Sequence, residues 1–106
     1  MKIVNVDSVT PFDNPHGVEA KKIYDSEDCK TIFMCLKPKQ ALKLHTTSVD
    51  VFFYILEGRG NVIIGNEKQE VTRNMLIESP KDIPHMLENT GVGLFKFLVV
   101  QLPKTI

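Results

Sequence analysis

The chain has 106 residues, the length of one domain with one hydrophobic core. Hydrophobic residues make up 42% and charged residues 25%, and 13 lysines and arginines balance 13 aspartates and glutamates. That balance leaves no basic stripe for phosphates, which argues against a nucleic-acid partner. The longer apolar runs, such as 51–56 and 97–100, are strand-length and too short to span a bilayer.

The first six residues alternate polar and apolar and lack the apolar centre of a secretory signal, so a cytoplasmic location is expected. Asn14-Pro15-His16-Gly17 is turn-rich and sets His16 just ahead of the first strand, predicted over 18–24. Cys29 and Cys35 match no zinc spacing and are expected to be reduced thiols. The apolar run 31–36 predicts a second strand, ended at Lys37-Pro38 because proline cannot donate to a ladder. Residues 41–45 lead into the strongest strand, 49–56, nearly all β-formers, after which Gly58 and Gly60 punctuate the chain. Residues 61–64 and 69–72 flank Gly65-Asn66, a pair suited to a tight hairpin turn. Strands over 75–78, 84–88 and 94–101 complete the series. Eight or nine short strands and no amphipathic helical period predict an all-β sandwich or barrel. Residues 1–30 are expected to form an N-terminal strand segment, packed on the barrel or exchanged in a dimer, and 31–106 the barrel itself.

The run from His45 to Gly58, with Tyr54-Ile55-Leu56-Glu57-Gly58 at its end, resembles the first cupin motif. The run from Pro80 to Asn89, with three residues between His85 and Asn89, resembles the second. The similarity covers about residues 31–101. It implies a small single-domain cupin: a cupin-type antiparallel β-barrel (double-stranded β-helix, jelly-roll-like) that commonly dimerises. It also implies three histidines and a carboxylate facing inward around one divalent transition metal, such as Zn, Ni, Mn or Fe. Gly58, Pro80, His85 and Asn89 match the pattern, whereas three family glycine positions hold Lys39, Asn74 and Asp82. Asparagine and aspartate tolerate positive φ, but Lys39 predicts a turn that departs from the family's.

His45 and His85 occupy the first and third histidine positions of the family site, while Thr47 replaces the second and Val51 the glutamate. Strand alternation turns Thr47, Val51, Phe53 and Ile55 inward, with Thr47, Val51 and Phe53 expected to line a ligand pocket. Asp50, Phe52, Tyr54 and Leu56 face the other way. Two imidazoles fall short of the three protein ligands usual for catalytic metals. Further candidates are Asp50, if a bulge rotates it inward; Glu78, either a ligand or a solvated outward group; and His16, either an exposed loop residue or a lid ligand. The expected function is binding of a small molecule, a divalent metal or both through His45 and His85. The alternative is a metal-dependent enzyme of oxygenase or isomerase type that completes the site with a further carboxylate or histidine. The apolar outward face and zero net charge also predict a homodimer.

Overall fold

A computed structural model describes residues 1–103, so the last three residues of the expected 31–106 unit lie outside it. Nine strands follow in order: β1 (Glu19–Asp25), β2 (Lys30–Leu36), β3 (Ala41–His45), β4 (Asp50–Glu57), β5 (Arg59–Ile64), β6 (Glu67–Thr72), β7 (Leu76–Ser79), β8 (His85–Asn89) and β9 (Phe95–Leu102). Every strand predicted from the sequence forms, its ends within two residues of expectation. One short 3₁₀ turn, Val6–Ser8, precedes them. No described helix is long and apolar enough to cross a membrane.

The strands form two antiparallel sheets, of order β1-β2-β9-β4-β7 and β3-β8-β5-β6. Alternation along β4 buries Val51, Phe53 and Ile55 and leaves Phe52, Tyr54 and Leu56 half-buried on the outer face. From β9, Phe95, Phe97 and Val99 meet them, with Met34 and Leu36 of β2, Leu42 of β3, Val62 of β5 and Leu87 of β8 completing the core. Phe53, Phe95 and Phe97 are fully buried, and burial of each such side chain contributes roughly 1.5–3 kcal/mol. Phe53 meets Phe97 edge-on at 6.2 Å between ring centres. On the outer face, the register sets Phe33, Leu98, Tyr54 and Leu76 side by side, so neighbouring strands already cover part of the apolar surface there.

The N-terminal segment is tied down locally. β1 pairs with β2 of the same chain, and the outward Lys21 ammonium donates to the Val6 carbonyl at 3.0 Å. Asn89 does comparable work at the far end of the sheets. Its amide donates to the Leu36 and Gly93 carbonyls at 2.9 and 2.8 Å, and its carbonyl oxygen accepts from the Gly91 N–H. The asparagine of the second motif is therefore a clamp between two strand ends and the loop before β9.

The three positions that hold Lys39, Asn74 and Asp82 all have positive φ, at 72°, 71° and 64°. Lys39 shares the left-handed backbone of Asn74 and Asp82. Its N–H donates to the Asn89 carbonyl, Gln40 N–H bonds back to Lys37, and Asn89 N–H bonds to Gln40, which together pin the turn. Gly58, at φ 85°, cannot be replaced in the same way, because a Cβ there would overlap the Leu94 carbonyl oxygen. Left-handed backbone costs an L-residue roughly 1–2 kcal/mol, partly offset in glycine by its greater unfolded-state freedom. Lys39→Gly is therefore predicted to stabilise the fold by about 0.5–1 kcal/mol, and Lys39→Val to destabilise it, as read by urea unfolding.

Candidate functional site

The register that builds the sheets also assembles a cluster of imidazoles. His45, at the end of β3, pairs directly with His85, at the start of β8. In the facing sheet, Val51 pairs with Ser79 and with Gln101, so these three form one cross-strand row. His85 and Ser79 are both buried, at 2% and 1% exposure, and the Ser79 hydroxyl lies 2.7 Å from His85 Nδ1. The imidazole and the Phe53 ring meet nearly at right angles, 5.2 Å between centres. On its other side, His85 Nε2 lies 3.1 Å from His45 Nε2 and 3.2 Å from the Thr47 hydroxyl.

These contacts determine where the protons sit when both rings are neutral. His45 Nδ1 lies 2.7 Å from the Lys43 carbonyl, which can only accept, so that nitrogen carries the hydrogen. His45 Nε2 is then an acceptor and His85 Nε2 must donate to it. His85 Nδ1 is left with a lone pair, which accepts the Ser79 O–H. Burial, and secondarily the nearby His45, push the His85 pKa down to about 4. The His85 ring is neutral at physiological pH.

His16 joins the cluster from the N-terminal loop, its ring 5.1 Å from that of His45. Asn14 folds that loop: its amide donates to the Val18 and Phe12 carbonyls, and its side-chain oxygen accepts from the His16 N–H. The Lys43 N–H donates to His16 Nδ1 at 2.9 Å and fastens the loop to edge strand β3. A neutral His16 accepting there carries its proton on Nε2 and has no lone pair for a metal. Partial burial, with His45 and Lys43 beside it, pushes its pKa down.

The other candidates lie elsewhere. Glu78 is exposed on the outer face of β7, and the buried residue of that strand is Ser79. The Asp50 carboxylate accepts from the Lys81 N–H at 2.9 Å and holds the 80–84 loop. Val51 and Phe53 are packed into the core at 3% and 0% exposure. Beside His16 and His45 lies a cavity of about 200 Å³, walled also by Phe12, Ile32, Met34 and Leu42 among others, with none of Thr47, Val51 and Phe53 among its lining residues. His85 stands behind His45 rather than in the cavity wall.

A metal of the kind the cupin resemblance implies needs at least three protein ligands for a catalytic site. Two imidazole nitrogens and a threonine hydroxyl converge here. Among the described residues, no group of three or more His, Cys, Asp or Glu side chains is placed to hold a metal ion. The residues present do not fit a firmly held metal.

The cupin domain family matches residues 32–101, and the chain belongs to that family. An uncharacterised protein of Methanocaldococcus jannaschii is 42% identical over 65 residues, 61% of this chain and 51% of that protein; the chain thus spans about half the length of this relative. The crystal structure of TT1209 from Thermus thermophilus superposes with a TM-score of 0.84 at 27% identity, covering 99% of this chain and 100% of that one. A predicted oxalate decarboxylase from Thermotoga maritima gives 0.85 at 23% identity, over 96% and 100% of the two chains. The polyketide cyclase RemF of Streptomyces resistomycificus gives 0.84 at 20%, over 98% and 80%. The last two likenesses concern the fold alone.

A histidine in an unfolded chain titrates near 6.5, whereas His85 in the folded chain titrates at about 4. Between those values the unfolded state binds a proton that the folded state does not. Stability is therefore predicted to fall as pH is lowered from about 6.5 to about 4, by on the order of 3 kcal/mol from this residue, and to be unaffected by it above that window. Urea melts at pH 7 and pH 4.5 check this: His85→Gln should show a shallower loss than the parent.

Proposed function

We infer that the chain binds a small molecule between its two sheets, in the cavity beneath the 12–17 loop, with His45 as the contacting imidazole and His85 as its support. One observation carries this reading: His45, held from behind by His85, stands in the wall of a cavity otherwise lined mainly by apolar side chains. Cavities of this kind, concave and apolar with a few convergent polar groups, are where small ligands bind. His85 orients His45 by donating to its Nε2, and the Lys43 carbonyl fixes the opposite nitrogen.

Divalent metal is secondary in this reading. A metal held by both Nε2 atoms requires His85 to give up its donor role and turn its Nδ1 proton toward Ser79. It would still have only two imidazoles. The oxygenase- or isomerase-type alternative has less support, because Glu78 faces outward, Asp50 accepts from the Lys81 N–H and His16 presents an N–H.

Untagged protein is predicted to carry far less than one equivalent of Zn, Ni, Mn or Fe by elemental analysis. Added metal should raise its melting midpoint little, since only tight binding to the native state does so. Stoichiometric metal that disappears in a His45→Ala/His85→Ala double variant would contradict the metal-free reading.

A further inference from the structure

The chemistry of the cavity wall limits what it accepts. Among the described residues lining it, none is an aspartate, glutamate, lysine or arginine. Phe12, Ile32, Met34, Leu42 and Val99 are among the apolar side chains that line it. A carboxylate or phosphate moved against such a wall loses part of its water shell and meets no counter-charge, which leaves it better solvated outside.

Of the polar side chains on the wall, Asn14 and His45 are committed, whereas the Gln101 carboxamide makes no hydrogen bond among the described residues. Asn14 bonds through both its amide nitrogen and its oxygen within the loop. His45 donates from Nδ1 to Lys43 and accepts at Nε2 from His85. His16 accepts at Nδ1 from Lys43, which leaves its Nε2–H as a donor without a partner of its own. A donor lining an apolar cavity is best satisfied by an acceptor oxygen on the ligand.

Size narrows the choice further. An apolar cavity of about 150 Å³ takes up benzene, so one of about 200 Å³ has room for a six-membered ring with a short substituent. Resting on the cavity-binding reading above, we propose that the ligand is an uncharged, largely apolar ring compound whose one carbonyl-type oxygen accepts a hydrogen bond from His16 Nε2–H. Small carboxylates, dicarboxylates and phosphates are excluded from the class.

Titrations of the full-length chain at pH 7.5 test this, followed by methyl NMR signals and melting midpoints. Acetophenone is the neutral carbonyl probe, ethylbenzene its analogue without the oxygen, and benzoate and oxalate are the anionic probes. Acetophenone is expected to shift the Ile32, Met34, Leu42 and Val99 methyl signals saturably, with at least tenfold tighter binding than either anion. Ethylbenzene should bind about five- to tenfold more weakly than acetophenone, and His16→Phe should remove that difference while still melting cooperatively. Tighter binding of benzoate or oxalate at the same methyl groups would overturn the proposed ligand class and leave the cavity as a binding site. Equal binding of acetophenone and ethylbenzene to the parent would overturn the role given to His16. Saturable shifts with none of the four probes would overturn the cavity-binding reading itself, and this inference with it.

Discussion

His85 is a buried imidazole with a partner on each nitrogen, and the interior of the molecule is arranged around keeping it so. Ser79 donates to one side; His45, with Thr47 alongside, accepts on the other. An imidazole this buried is costly if either nitrogen is left unpaired, so each partner constrains the next. Ser79 must face inward, which sends Glu78 outward. His45 must present a lone pair, which the Lys43 carbonyl ensures by taking the other proton. Lys43 then faces His16 with its N–H, and the N-terminal loop is fixed by the same strand segment that orients His45. Four elements distant in sequence are coupled through one hydrogen-bonded chain.

That chain also explains how a cupin retains two of the family's histidines without the rest of the site. In the family pattern the positions of Thr47 and Val51 are metal ligands. Here one supplies a hydroxyl to the His85 N–H, and the other is packed apolar core beside Ser79. The surviving imidazoles satisfy each other. Their retention therefore does not require a metal, because a buried pair that completes its own hydrogen bonds is structurally sufficient.

Most of the fold was legible in the residues. Apolar, β-forming runs, turn residues between them and the absence of a helical period placed all nine strands. Turn chemistry was legible where asparagine or aspartate replaced glycine, but not at Lys39, whose left-handed conformation is imposed by hydrogen bonds to Asn89 and within the turn. Those contacts are long-range, and local preference cannot reveal them. The site was legible in part. Motif spacing singled out His45 and His85, but Ser79 was passed over. Its parity with the inward Ile77 was the available signal, and the same parity set Glu78 outside. The places of His16, Phe12 and Gln101 at the cavity depend on how the N-terminal loop crosses the sheets, and no period in the sequence encodes that.

The ring nitrogens that carry hydrogen in the three imidazoles can be read directly from ¹⁵N chemical shifts of uniformly labelled protein at pH 7.5. The hydrogen bonds predict His85 protonated on Nε2 with a bare Nδ1, His45 protonated on Nδ1, and His16 protonated on Nε2. A His85 protonated on Nδ1, with the Nε2 atoms of both His45 and His85 bare, would contradict this arrangement and point instead to two nitrogens facing a metal.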